Sequence, residues 1–429
     1  MTATSHAPIE TLTAYRNVRE STEALAAPLS AEDQVVQSMP DVSPTKWHRA
    51  HTTWFFETFV LSPELAGYES PNAAYAYLFN SYYEQVGSRH PRSERGLISR
   101  PTVDDVGEYR RHVDAAIEEM LRGARDDVLA RTEAIVEVGC HHEQQHQELL
   151  LMDIKHVLSC NPLDPAYLAI PETQRAFDER HPRAVSEAGF IDFDGGLVDI
   201  GHDGDGFAFD NETPRHTVLL TPYRLANRLV TAGEWRAFID DGGYERAELW
   251  LSDGWATVQS NGWDAPLYWQ RDGDGWSVFT LEGRKRVVDS EPVVHVSHYE
   301  ADAFARWAGA RLPTEFEWEN AAVSTGALGN AHEPASRRLH PRRADDSRAL
   351  VQLDTDVWQW TASAYLPYPR FTPPPGALGE YNGKFMSNQM VLRGGACITP
   401  PGHVRPTYRN FFPPTARWPF AGLRLAADA

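Results

Sequence analysis

The run His141-His142-Glu143-Gln144-Gln145-His146-Gln147-Glu148 gathers side chains able to hold a metal into two helical turns. Histidines four apart on a helix lie one turn apart on the same face, so His142 and His146 can converge on one ion while His141 points elsewhere. The same face continues through Leu149 and Met152, which turns the pair toward a packed interior rather than water. An isolated His-x-x-x-His pair is more often a surface accident. Here polar groups crowd a helix with an apolar face, and a metal satisfies two imidazoles at once. Two ligands need a third. His51 stands in the apolar stripe of Trp47, Trp54, Phe55 and Phe59 and is the natural donor, whereas His48 either backs the ligands or sits at the surface. Three imidazoles without a carboxylate suit zinc, copper or iron, and ligand type alone does not choose among them.

A second cluster follows at Asn80-Ser-Tyr-Tyr-Glu84 and His90-Pro-Arg-Ser-Glu-Arg95. Arg92 and Arg95, three apart, are suited to clamping a substrate carboxylate through forked hydrogen bonds, or are simply two surface arginines on a loop. Tyr82 and Tyr83 offer a phenol as proton donor, although adjacent tyrosines serve packing more often.

The elements that must position these groups are helical. Ser43 and Pro44 read as an N-cap and first-turn pair, opening a helix that carries His51 and runs through Phe59. Thr102 with Asp105 three positions on predicts the cap of a helix to about Arg122, and another helix spans about Asp127 to His156. Together they imply an up-and-down bundle. Between Asn161 and Glu187 four prolines break any long element and mark a domain boundary. Beyond it the pattern changes to short alternating segments such as Thr217–Thr221, with two clear helices, Thr231 to Asp240 and Ser297 to Ala308. The tracts Asp253 to Gly275 and Ala331 to Ser347 lack periodicity and read as long surface loops. The whole is an α+β multidomain chain without internal repeats.

Composition sets the bounds. A chain of 429 residues exceeds what one core usually organises, so two or three domains are expected. Hydrophobic residues at 42% and charged residues at 23% are ordinary for a globular protein, and no run approaches the roughly 20 apolar residues needed to span a bilayer. Residues 1–8 lack the basic and apolar regions of a secretory signal. The three cysteines, Cys140, Cys160 and Cys397, are too few and too scattered for a disulfide framework, which implies a cytoplasmic protein. A net charge of -20 repels phosphate backbones and makes nucleic acid an unsuitable partner.

The blocks Ser43-Pro-Thr-Lys-Trp-His-Arg-Ala-His51, Leu78-Phe-Asn-Ser-Tyr-Tyr83 and His142-Glu-Gln-Gln-His146 resemble the ergothioneine-biosynthesis sulfoxide synthases. Asn211-Glu-Thr-Pro-Arg-His216, Gly242-Gly-Tyr244, Pro292-Val-Val-His-Val-Ser297, Ala308-Gly-Ala-Arg-Leu-Pro-Thr-Glu315, Arg393-Gly-Gly395 and Phe420-Ala-Gly-Leu-Arg424 are similar to the formylglycine-generating-enzyme domain, a C-type-lectin-like fold. The resemblance implies a DinB-like helical bundle over residues 1–165, a linker over 166–187 and the lectin-like domain over 188–429. It further implies Fe(2+) on His51, His142 and His146, with Gln145 helping to hold a histidine-derived substrate. The implied reaction joins a thiol to C2 of the imidazole of hercynine, N-alpha-trimethylhistidine, with O2, and ends in a sulfoxide. Within that family, the Asn-Ser-Tyr-Tyr run with Arg92 and Arg95 resembles the branch that takes free cysteine, in which one tyrosine, here Tyr83, donates a proton. Asn410, Phe411 and Phe412 match the segment that contacts hercynine. Phe412 stands where the mycobacterial type, which uses gamma-glutamylcysteine, carries an acidic residue.

Three other readings compete. One is the same reaction with gamma-glutamylcysteine, another is selenoneine synthesis from a selenosugar, and the third is a non-catalytic lectin-like binding protein. A formylglycine-generating activity needs two nearby cysteines near the C-terminus, and Cys397 has none downstream.

Overall fold

The computed structural model describes residues 7–123, 126–169, 187–328, 339–345, 347–354 and 356–429. The chain divides into two compact units. The first comprises residues 1–163 together with a short strap, residues 375–381, and the second comprises residues 164–374 and 382–429. Most of the expected linker 166–187 and of the expected loop Ala331–Ser347 lies outside the described residues.

Four long helices build the first unit: α1 (Ala7–Ala26), α2 (Thr45–Phe56), α5 (Val103–Gly123) and α6 (Asp126–Ser159), with the short α3 (Ser62–Glu64) and α4 (Tyr75–Leu78) between α2 and α5. Helix α2 packs against α5 and α6, and α1 packs along α6. All twelve residues of α2 are buried, so each of its polar groups must find a partner inside. Lys46 Nζ donates to the carbonyls of Ile98 and Pro101 at 2.7 and 2.9 Å. Arg49 reaches Glu23 and Gln34. Close approach of α2 to α6 depends on Gly139, where a Cβ would run into the rings of Phe56 and Phe55. A glycine inside a helix costs roughly 1 kcal/mol, which this packing offsets. Helix α5 opens as expected on Thr102, whose hydroxyl accepts from Asp105 N–H while Asp105 accepts from Thr102 N–H.

The expected start and end of α2 need correcting. Ser43 does not cap it: Pro44 is the N-cap, and the Ser43 hydroxyl instead accepts from Arg95 at 2.9 Å. The α-helix stops at Phe56 and passes into a π-type turn, Glu57–Leu61, so Phe59 lies beyond it. That turn is held by buried Glu57, which accepts from the phenols of Tyr68 and Tyr109 at 2.7 and 2.5 Å.

The second unit carries helices α7 (Ala232–Asp240), α8 (Ser252–Asn261), α9 (His298–Trp307) and α10 (Glu315–Thr325). Three of them open on capping boxes, Thr231 with Glu234, Ser297 with Glu300 and Thr314 with Glu317. Two helices were therefore missed by periodicity. All of helix α8 but its first residue, and the strand Trp269–Asp272, fall inside the expected loop Asp253–Gly275; α8 buries only Gly254 and Val258, too little to leave a stripe. Strands Phe190–Phe193, Tyr223–Ala226 and Ala426–Asp428 form one antiparallel sheet that brings the two ends of the unit together. A four-stranded sheet runs in the order Asn410–Phe412, Met390–Arg393, Trp358–Ala364, Ala421–Gly422. Between α10 and the sheet carrying Tyr223 sits a core of Tyr223, Leu225, Trp318, Ala321 and Ala426.

Candidate metal centre

His51 on α2 and His142 and His146 on α6 come together in the first unit, each offering a ring nitrogen within 4.8 Å of the others. Three nitrogens sharing one ion at about 2.1 Å lie no more than about 4.2 Å apart, so the rings stand close to ligating distance. They form the one such cluster among the described residues. His51 Nδ1–H donates to the carbonyl of Phe79 at 2.6 Å, which leaves Nε2 with its lone pair, and that Nε2 is buried without a partner. Both ring nitrogens of His142 are likewise buried and unpartnered. Buried polar atoms are rarely left so. The donor set therefore fits a divalent metal ion.

Electrostatics point the same way. Burial drives the His142 imidazole down to about 3, against a smaller opposing pull from Glu143. Burial also holds His51 and His146 well below the usual 6.5, with neighbouring His142 adding to the effect. All three are thereby neutral, the form that ligates. Beneath them, Glu143 is buried between Arg19 and Arg110 at 2.7 and 2.9 Å. Burial alone would raise its carboxyl, but the two arginines hold it down to about 2. This ionic lock fixes the turn of α6 that carries His142.

An aromatic column runs past the cluster. Trp47 and Trp54 stack on either side of His51, with ring centres 4.6 and 5.4 Å away. Beyond Trp54 stands Tyr83, 5.6 Å from it and fully buried, and Tyr82 stacks on Tyr83 with the two hydroxyls 3.5 Å apart. The turn that carries them is closed by Asn80, whose amide accepts from Tyr83 N–H and donates to the carbonyls of Tyr83 and Gly87. Burial, then the neighbouring Tyr82 and Tyr381, push the Tyr83 phenol well above 10. On the other side of the column, the Arg95 guanidinium lies 3.4 Å over the Trp47 ring. Arg95 is buried, bonded to Ser43 and Ser81, with its Nε unpartnered. Burial and then Arg92 work against its charge, so an anion beside it would be welcome. Arg92 differs: it is exposed and donates to the Asp41 carbonyl.

The strap supplies two groups that sequence reasoning missed. The Tyr381 ring lies 5.7 Å from His142, and its hydroxyl donates to the side-chain oxygen of Gln145. Glu380 accepts from the backbone N–H groups of Glu84 and Gln85, both at 3.0 Å, and so ties the tyrosine turn to the strap. Asn410, Phe411 and Phe412 belong to the second unit. There Phe411 stacks on Tyr365 at 4.1 Å and Phe412 meets Trp418 edge-on. Neighbouring Arg409 is locked to buried Glu315.

The chain thus joins a helical unit carrying three clustered imidazoles to a second unit of helices and sheets. Residues 14–150 match the DinB superfamily and residues 176–429 match the sulfatase-modifying factor enzyme 1-like domain. The chain is 32% identical to a hercynine oxygenase of Mycolicibacterium smegmatis over 91% of its own length and 92% of that protein's. It is also 32% identical to the hercynine oxygenase of Mycobacterium tuberculosis, over 91% and 92% of the two chains. A formylglycine-generating enzyme of Streptomyces coelicolor is 36% identical over 58% of this chain and 91% of that one. The chain belongs to the hercynine oxygenase family. Among the described residues no helix is long and apolar enough to cross a membrane.

Proposed function

We propose that the protein is an iron(II)- and O2-dependent sulfoxide synthase that joins the sulfur of cysteine to C2 of the imidazole of hercynine, a step of ergothioneine biosynthesis. The observation that carries the reading is the cluster of three neutral imidazoles, two of them with buried, orphaned nitrogens, in a chain similar along its length to hercynine oxygenases. His51, His142 and His146 would hold the ion, which when bound would supply dioxygen activation.

The chain's own residues do the rest. Arg95, desolvated and with an unused Nε–H, holds the carboxylate of the thiol substrate, with exposed Arg92 adding longer-range attraction. Gln145, oriented by Tyr381, faces the histidine-derived substrate. Tyr83 stays protonated at neutral pH and donates its phenolic proton during turnover. Trp47, Trp54 and Phe55 keep water from the ligands. For Asn410, Phe411 and Phe412, contact with hercynine rests on the family resemblance.

Purified protein with Fe(II), hercynine and air is to be offered cysteine, gamma-glutamylcysteine and a selenosugar in parallel, with products identified by mass. The cysteine conjugate sulfoxide is expected. Product from gamma-glutamylcysteine alone would move the protein to the other thiol branch, and product from the selenosugar alone would make it a selenoneine synthase.

A further inference from the structure

His48 plays no part in the reading above, yet it is buried directly behind a ligand. Its Nδ1 lies 2.9 Å from His146 Nδ1, and its Nε2 lies 3.1 Å from Asp153 Oδ2. Asp153 Oδ2 in turn accepts from the Ser43 backbone N–H at 2.8 Å, which fixes the carboxylate in place. His48 and Asp153 are only 2% and 3% exposed, so both contacts lie in the interior.

Two imidazole nitrogens facing each other at hydrogen-bond distance share a single proton. Two neutral arrangements satisfy that contact. In the first, His146 Nδ1–H donates to His48 Nδ1, and His48 Nε2–H donates to Asp153. In the second, His48 Nδ1–H donates to His146, and His48 Nε2 turns a lone pair toward the carboxylate. The second places two acceptors face to face in a buried site, where an unmet acceptor is costly. The carboxylate therefore selects the first. His146 is then left with its Nε2 lone pair free to ligate and its Nδ1 proton committed.

We infer that Asp153 and His48 are positioning residues: a proton-ordered relay that presets the tautomer of His146 before any metal arrives and strengthens it as a donor. The contrast with the other ligands sharpens the point. His51 is preset by a backbone carbonyl, whereas both nitrogens of His142 are unpartnered and nothing presets it. Only His146 is wired to a carboxylate. Groups that hold the far nitrogen of a metal-bound histidine fix its ring and tautomer, and their loss lowers metal affinity by roughly 10- to 100-fold.

The inference rests on the metal centre proposed above, and the test separates the two. Full-length, metal-free protein labelled with 15N-histidine reports the His146 tautomer directly, and Co(II) titration reports affinity without turnover. In wild type, His146 is expected as the Nδ1–H form. In His48→Phe it should shift toward Nε2–H, with Co(II) affinity down 10- to 100-fold. His48→Asn, whose side-chain oxygen can replace the Nδ1 acceptor, should restore both. A wild-type His146 protonated on Nε2, or a folded His48→Phe protein with unchanged tautomer and affinity, overturns the relay. Wild type that binds no Co(II) while showing the Nδ1–H form would instead sink the metal centre and leave the relay standing.

Discussion

Metal binding at this site should be nearly insensitive to pH across a range in which most histidine sites fail. A proton competes with a metal only if the ligand takes it up, and the ligating form is neutral. For three solvent-exposed imidazoles of pKa about 6.5, each is about 90% protonated at pH 5.5, so the fraction with all three neutral falls roughly 1,000-fold between pH 7.5 and 5.5. Here burial holds His142 at about 3 and the other two well below 6.5, so all three stay neutral throughout. Zinc or cobalt affinity, measured by competition against a chelator of known pH dependence, should change by less than about threefold between those pH values. The cost appears in stability. Each histidine has a folded pKa below its unfolded one, so the unfolded chain takes up protons that the folded chain cannot. The metal-free protein therefore loses stability as pH falls below 6.5, by up to about 1.4 kcal/mol per pH unit for each histidine. A 100-fold or greater loss of affinity by pH 5.5 in protein that is still folded would refute the argument, since it would mean that the imidazoles titrate as though wet.

Four further outcomes follow from the same geometry. Arg95→Ala should raise the KM for cysteine by roughly 10- to 150-fold, the worth of one charge-assisted hydrogen bond, and leave that for hercynine unchanged; equal losses would indicate a general defect. Tyr83→Phe should retain metal and both substrates yet lose sulfoxide product or divert oxygen to oxidation of cysteine, with Tyr82→Phe doing much less; if Tyr381→Phe alone has that effect, the donor is the phenol beside His142. Glu143→Gln leaves Arg19 and Arg110 without their shared counter-charge and should cost about 3–5 kcal/mol in urea unfolding; because the Glu143 carboxyl is held down at about 2, the stability it lends is present above pH 4.5 and is lost as pH falls from there toward 2. Gly139→Ala gains up to about 1 kcal/mol of helix propensity but must push Phe56 aside at a cost of about 1–3 kcal/mol, so melting temperature and metal affinity should fall together, and a more stable protein with unchanged affinity would contradict the packing account.

What could be read from the sequence were the features written locally. The i, i+4 histidines and the Thr102–Asp105 cap each depend on neighbours a turn away, and the structure places both as the spacing requires, whereas the stripe expected around His51 is a helix buried on every side that ends before Phe59. What escaped depends on partners far along the chain. The Ser43 hydroxyl was claimed by Arg95, 52 positions on, in place of the helix end. Tyr381 reaches Gln145 across 236 positions, and nothing in Gly379-Glu-Tyr-Asn382 announces it. Helix α10 did carry a signal, the Thr314–Glu317 capping box, but its apolar residues do not fall on one stripe because both Trp318 and its buried glutamates face inward.

The strap also sets an order of events in time. Helix α6 ends at Ser159, and Pro375 follows about 215 residues later. At roughly 5–20 residues per second, a ribosome needs about 10–40 s to make the intervening chain. For that interval all three histidines already exist on α2 and α6, while Glu380 and Tyr381 have yet to be made. A nascent chain thus passes through a stage in which the imidazoles stand ready and the groups that tie down the tyrosine turn and Gln145 are missing. A metal ion supplied during synthesis would meet a bundle that still lacks the strap, whereas one offered to the finished protein would not.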